Sequence, residues 1–305
     1  MAKRDFITIR SYTPAETRKL IDDAIDIKAH PGKYAEALKG KALGMIFEKP
    51  SLRTRVTFDV GIHQLGGFGI YLSPAEISLG KRESVADVAH NLERMVQGIM
   101  ARTFSHKAVE ELAACARIPV INGLTDYNHP CQAMADYMTL LEVRGKLSGL
   151  KLAYLGDGNN VAVSLIHTAA RLGVHLAVAT PAGYEPNSEA VEWARAQGAE
   201  TGCRIDLTHD PVEAVKGADA VYTDVWTSMG QESEAAKRLA IFRPYQVNEA
   251  LFAKARPDAV FLHCLPAHRG AEVTDEVVDS PRSVVFQQAE NRLHSQKAIM
   301  LHLMR

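Results

Sequence analysis

Eight short apolar runs alternate with longer stretches of helical periodicity, and that rhythm limits the chain more than any other feature. Runs at 43–47, 68–72, 98–101 and 118–121 come first. After a break at Arg144-Gly145-Lys146-Leu147-Ser148-Gly149, further runs follow at 151–155, 174–180, 218–223 and 259–263. Apolar runs of this length, separated by helical patterns, are the mark of strands joined by helical crossovers, which implies parallel sheets in an α/β fold. The chain has 305 residues, about twice the length at which one domain of roughly 150 is expected, so the break marks a boundary between two such units. The reading is therefore two parallel-sheet α/β domains, 1–147 and 148–287. Residues 288–305 set Ala289, Leu293, Ile299 and Leu301 among polar residues, which predicts an amphipathic helix packing back on the first domain. A helix start is written in Thr13-Pro14-Ala15-Glu16, where a hydroxyl cap, a proline and a glutamate satisfy the orphan amides; that helix is expected to run to about Ala29.

Charge narrows the function. With 35 Lys and Arg against 36 Asp and Glu, the chain lacks the basic excess that tracks a nucleic-acid backbone, so no nucleic acid is expected as partner. No apolar run approaches the roughly 20 residues of a membrane span, and the charged opening Lys3-Arg4-Asp5 is not that of a secretory signal. Four cysteines stand far apart with no C-x-x-C pair, which argues against a zinc or redox centre. A reduced cytoplasmic protein without metal or cofactor is expected.

Five clusters could carry chemistry. Glu48-Lys49-Pro50-Ser51-Leu52-Arg53-Thr54-Arg55 lies between a strand and a helical pattern. Amides at a helix start, the hydroxyls of Ser51 and Thr54 and the forked donors of Arg53 and Arg55 suit a phosphate, although a solvated helix start with surface arginines reads equally well. Asn128-His129-Pro130-Cys131-Gln132 opens another helix and puts His129 and Gln132 on one face, where a hydrogen-bonded structural histidine is the plainer alternative. Arg102 follows an apolar run, the carboxyl end of a strand where open α/β sheets bind ligands; a surface ion pair is its plainer role.

Gly156-Asp157-Gly158-Asn159-Asn160-Val161 looks like the start of a dinucleotide fingerprint. It fails, because Val161 takes the third glycine position and the next strand ends Ala179-Thr180-Pro181 without an acidic residue. A tight turn presenting Asn160 to a small ligand fits better. Asp224, followed by Ser228-Met229-Gly230-Gln231, offers a carboxylate for an amine, or a cap for a turn. His263-Cys264-Leu265-Pro266 puts a thiol at a strand end, either hydrogen-bonding or merely packed.

Together and in this order, Ser51-Leu52-Arg53-Thr54-Arg55, His129-Pro130-Cys131-Gln132, Asp224 with Ser228-Met229-Gly230, and His263-Cys264-Leu265-Pro266 resemble the ornithine carbamoyltransferases of the aspartate/ornithine carbamoyltransferase family. The Ser-Met-Gly loop separates them from the aspartate branch. The resemblance implies a carbamoyl-phosphate domain followed by an ornithine domain, assembled as a homotrimer or a multiple of trimers with active sites between subunits. It implies transfer of a carbamoyl group to the side-chain amine of L-ornithine, giving L-citrulline and phosphate, a step of arginine metabolism.

Residue by residue, the resemblance gives Ser51, Leu52, Arg53 and Thr54 to the phosphate. Arg102 and His129 face the carbonyl oxygen, Gln132 and the backbone carbonyls of Cys264 and Leu265 take the carbamoyl NH₂, and Arg292 completes the pocket. Asp224 and Cys264 hold the amino groups of ornithine, while Asn160, Ser228 and Met229 hold its carboxylate end. Arg102, His129 and Cys264 are the expected catalytic residues. Where such enzymes commonly reach a neighbouring phosphate with a glutamine or histidine, this chain has Ser78. A sister enzyme using putrescine or an acylated ornithine, and a non-catalytic anion-binding protein, are the rival readings.

Overall fold

A computed structural model describes residues 3–77, 79–228 and 230–305. The chain divides into two compact units, one running up to Met138 and including Glu290–Arg305, the other spanning Thr139–Ala289. Both are built on a parallel sheet with helical crossovers, as the alternation predicts.

In the first unit β1 (Ala42–Phe47), β2 (Phe68–Leu72), β3 (Gly98–Arg102) and β4 (Val120–Leu124) lie in the order β2-β1-β3-β4. Strands β1, β3 and β4 are buried along their whole length, as strands covered on both faces must be; β2 is at the edge and partly exposed. The segment around Phe6 runs beside β4, with Phe6 N donating to Val120 O (2.8 Å) and Asn122 N to Phe6 O (2.8 Å). The first long helix is Pro14–Ala29, and its capping box is complete: Glu16 N donates to Thr13 Oγ1 (3.2 Å) and Thr13 N to Glu16 Oε2 (2.8 Å).

In the second unit β5 (Lys151–Leu155), β6 (His175–Ala179), β7 (Ile205–Thr208), β8 (Ala220–Thr223) and β9 (Val260–His263) lie in the order β7-β6-β5-β8-β9. Strand β7 escapes the sequence reading because it is four residues long, lies at the sheet edge, and has its apolar signal interrupted by the exposed Asp206. Each sheet reverses its winding direction once, between β1 and β3 in the first and between β5 and β8 in the second. Such switch points open a crevice beyond the carboxyl ends of the two strands.

The C-terminal helix Val285–Met304 is not amphipathic in the expected sense. Asn291, Arg292, Ser295, Gln296 and Lys297 are as buried as Ala298, Ile299 and Met300. Within the first unit it comes very close to the helix Leu52–Gln64: a Cβ on Gly61 would stand 3.1 Å from Met300 Cε and 3.3 Å from Lys297 Cγ. Among the described residues, no helix is long and apolar enough to cross a membrane.

Candidate active site

The switch point of the first sheet gathers most of the expected anion-binding residues. Ser51 caps the helix Leu52–Gln64: Thr54 N donates to its Oγ (3.2 Å), and that hydroxyl lies 3.1 Å from Thr54 Oγ1. Arg102, the last residue of β3, is buried and points Nη1 at Thr54 Oγ1 (3.4 Å). Arg292, buried on the C-terminal helix, reaches the same hydroxyl with Nη2 (3.3 Å) and donates from Nη1 to Gln132 Oε1 (2.6 Å). Two guanidinium groups and a helix N-terminus thus converge on one threonine, an arrangement that suits a dianion.

His129 stands in the field of this cluster. Burial pushes its pKa well below the ordinary histidine value, and the charges of Arg292, Arg102 and Arg53 push it the same way. The imidazole is therefore neutral at physiological pH, able to donate one N–H to a developing oxyanion without adding charge. Cys131, next to the proline, is buried too; burial pushes its thiol up to about 12, and Sγ donates to Asn122 O (3.3 Å), so it is an inert packing residue.

Two residues of this cluster are not among those singled out in the sequence. Gln296, with its amide oxygen turned to Arg292, accepts from Nη2 (2.9 Å) and Nε (3.1 Å) while its nitrogen donates to Thr57 Oγ1 (2.6 Å). Asp136, buried one helical turn beyond Gln132, accepts from Gln132 Nε2 (2.8 Å). Polar residues at helical positions facing a core are the signal that would have found both.

The switch point of the second sheet is built differently. Asp224, just past β8 and buried, accepts from Cys264 Sγ (2.8 Å) on one carboxylate oxygen and from Asn159 Nδ2 (2.8 Å) on the other. Asn159 cannot turn over, because its oxygen accepts from Val161 N (2.9 Å) and Ala162 N (3.2 Å) as the cap of the helix Asn160–Leu172. Asn160, the asparagine singled out in the sequence, is the first residue of that helix. The turn before it needs glycine: a Cβ on Gly158 would lie 2.2 Å from Pro186 N. Arg238, also unforeseen, steadies the segment after Asp224 by donating to Trp226 O (2.8 Å) and pairing with Asp157 (2.9 Å).

Past β9, Leu265 adopts a left-handed backbone (φ 58°), and its N–H donates to His263 Nδ1 (2.8 Å). The proton of His263 is thereby assigned to Nε2, which faces Glu272 Oε1 (3.2 Å) in the core. Asp224, His263 and Cys264 bring three potential ligand atoms within 4.8 Å of one another. Both imidazole nitrogens are already engaged, so a metal would have to displace one of those bonds, and the carboxylate of Asp224 beside the Cys264 thiol suits an amine better. Ser228 N donates to Gln231 Oε1 (3.1 Å). Ser78 and Met229 lie outside the described residues.

Comparison with known proteins agrees over the whole chain. Residues 4–142 match the carbamoyl-P binding domain, and residues 148–303 the Asp/Orn binding domain, of aspartate/ornithine carbamoyltransferase. The chain is 55% identical over 306 residues to the ornithine carbamoyltransferase of Thermococcus kodakarensis, covering 100% of this chain and 97% of that one. It is 53% identical over 306 residues to the anabolic ornithine carbamoyltransferase of Pyrococcus furiosus, again covering 100% and 97%. Among solved structures, the Pyrococcus furiosus ornithine carbamoyltransferase superposes with a TM-score of 0.97 at 53% identity, over 99% of this chain and 97% of that one. That of Thermus thermophilus gives 0.90 at 49%, over 99% of each. On its two matched domains, its sequence identity and its fold, this chain belongs to the aspartate/ornithine carbamoyltransferase family.

Proposed function

We propose that this chain transfers the carbamoyl group of carbamoyl phosphate to the side-chain amine of L-ornithine, giving L-citrulline and phosphate. The observation that carries the reading is the convergence of Arg102, Arg292 and the capped helix start on Thr54, beside a histidine held neutral. The first domain, 1–147, takes carbamoyl phosphate. Ser51, Leu52, Arg53 and Thr54 hold the phosphate through helix-start amides, hydroxyls and a guanidinium, and Arg102 bridges to the carbonyl oxygen. His129 donates its single N–H to that oxygen as it gains charge. Gln132, with the backbone carbonyls of Cys264 and Leu265, accepts from the carbamoyl NH₂, and Arg292 closes the cation set.

The second domain, 148–287, takes ornithine. Asp224 and Cys264 face its amines; Asn160 and the Ser228-Met229 segment take the carboxylate end. The attacking amine must be neutral, and a lysine-like amine with a pKa of about 10.4 is mostly protonated near pH 7.4, which costs about 4 kcal/mol. The amine nitrogen then attacks the carbonyl carbon, the bond from carbon to the bridging phosphate oxygen breaks, and the amine's proton leaves with the phosphate as HPO₄²⁻.

Assembly as a homotrimer or a multiple of trimers, with sites completed by a neighbouring subunit, is supported by an apolar surface on the first unit. Leu52, Val56 and Val60 repeat every fourth residue along one helix and are exposed, as are Phe68 and Ile70 on edge strand β2. The cross-subunit contact of Ser78 belongs to this proposal. Four free thiols suit a reducing cytoplasm. A phosphate-release assay with carbamoyl phosphate and ornithine, putrescine, aspartate or N-acetylornithine offered in parallel tests the reading. Ornithine should give by far the highest kcat/KM, and a higher value for any of the other three would replace the assignment.

A further inference from the structure

We propose that Asp136 is a positioning residue that decides which atom of the Gln132 amide faces the carbamoyl group, and thereby sets the preference for a carbamoyl over an acetyl phosphate. The inference rests on the reading of Gln132 as a contact of the carbamoyl NH₂.

An amide side chain has two ends of similar shape and opposite hydrogen-bonding sense. Gln132 is buried, and both its ends are engaged: Nε2 donates to Asp136 Oδ1 (2.8 Å) and Oε1 accepts from Arg292 Nη1 (2.6 Å). A carboxylate accepts and a guanidinium only donates. Turning the amide over would set its NH₂ against the guanidinium and its oxygen against the carboxylate, two repulsive contacts in a buried place. Asp136 and Arg292 therefore enforce one orientation from opposite sides. Arg292 is itself held by Thr54 and Gln296, so the orientation is tied to the anion site.

The consequence is chemical selectivity. An amide oxygen carries two lone pairs; Arg292 takes one, and the second can accept an N–H from the carbamoyl group. Acetyl phosphate has a methyl where carbamoyl phosphate has NH₂. A site built to accept from that NH₂ loses a hydrogen bond to the methyl analogue and leaves one lone pair of a buried oxygen unfilled, a discrimination stronger than shape alone provides. With the amide reversed, an NH₂ would meet the substrate's NH₂, and only the share of the preference owed to the backbone carbonyls of Cys264 and Leu265 would remain. Asp136 does this without touching the substrate, through Gln132.

The test uses two stable analogues of the same shape, phosphonoacetamide with a terminal NH₂ and acetonylphosphonate with a terminal methyl, titrated calorimetrically into the full-length protein. The parent should bind the amide at least tenfold more tightly. Asp136→Asn, whose side chain can offer either end, should bring the ratio to threefold or less while the Kd for inorganic phosphate stays within twofold. Asp136→Ser, whose hydroxyl donates or accepts, is the second variant should the first fold poorly. In a Gln132→Met background the ratio should already be lowered to the same level, and adding Asp136→Asn should change it no further. A parent that binds neither analogue refutes the proposed function, and this inference with it. A parent that prefers the amide, with the same preference in both Asp136 variants, refutes the inference alone, as does an equal effect of Asp136→Asn in the presence and absence of Gln132.

Discussion

The two switch points are the same place in two similar sheets, yet they are furnished in opposite ways. Beyond β1 and β3, cations converge and the one titratable group near neutrality, His129, is held uncharged. Beyond β5 and β8, the centre is a carboxylate gripped by a thiol and an amide, neither of which brings a positive charge. The fold supplies the crevice and leaves its charge to the side chains. A dianion with a developing oxyanion calls for the first kind of site, and an amine for the second.

Removing a cation from the first crevice should do the most damage. Arg102→Ala is expected to lower kcat/KM by about a hundredfold or more, some 2.7 kcal/mol, by analogy with deletion of an oxyanion donor, with the fold intact by circular dichroism. Activity within threefold of the parent would remove Arg102 from the machinery. The corresponding change in the second crevice is Asp224→Asn, which keeps the shape and loses the charge. It should raise KM for ornithine roughly tenfold or more, the worth of a charged hydrogen bond of about 1.5–3 kcal/mol, and leave KM for carbamoyl phosphate unchanged. Parallel rises in both constants would show that the two crevices do not divide the substrates as described.

A smaller effect follows from the neutral histidine. The pKa of His129 is depressed in the folded protein, so between the unfolded value of about 6.5 and the folded one the unfolded chain binds the extra proton. Stability from this group is therefore complete above about pH 6.5 and falls as the pH drops below it. Thermal melts from pH 8 to pH 5 should show Tm falling more steeply for the parent than for His129→Asn; identical slopes would mean that His129 titrates normally. The least effect is expected from Cys264→Ala, which removes one donor from Asp224 and keeps the backbone: about 1 kcal/mol, or fivefold in KM for ornithine, with Cys264→Ser restoring most of it. Parental kinetics for the alanine variant would reduce the thiol to packing.

Much of this contrast is legible in the sequence. Thr13 to Glu16 spells a capping box and forms one, and eight of the nine strands follow apolar runs. Strand β7 does not, since an edge strand needs no continuous apolar signal. The C-terminal helix returns to the first unit as expected, but its polar residues look solvent-facing in one dimension, whereas Arg292 and Gln296 are buried and bonded to each other and to Gln132, Thr54 and Thr57. In the second unit Asn159, the neighbour of the Asn160 that the sequence singles out, is the residue whose side chain donates to Asp224, and only the backbone geometry of the helix cap reveals it.

Local chemistry and periodicity are properties of neighbours along the chain, so the sequence alone determined the α/β class, the two-unit organisation, the capped helix starts and the residue types offered at strand ends. The partners across long separations were decided only in the folded protein. Thr54 meets Arg102 and Arg292, Gln132 is caught between Arg292 and Asp136, and Asp224 is held by Asn159 and Cys264. The reason is physical: burial and charge act through space, and whether a histidine is neutral or an amide points one way depends on what the fold has brought within a few ångströms of it.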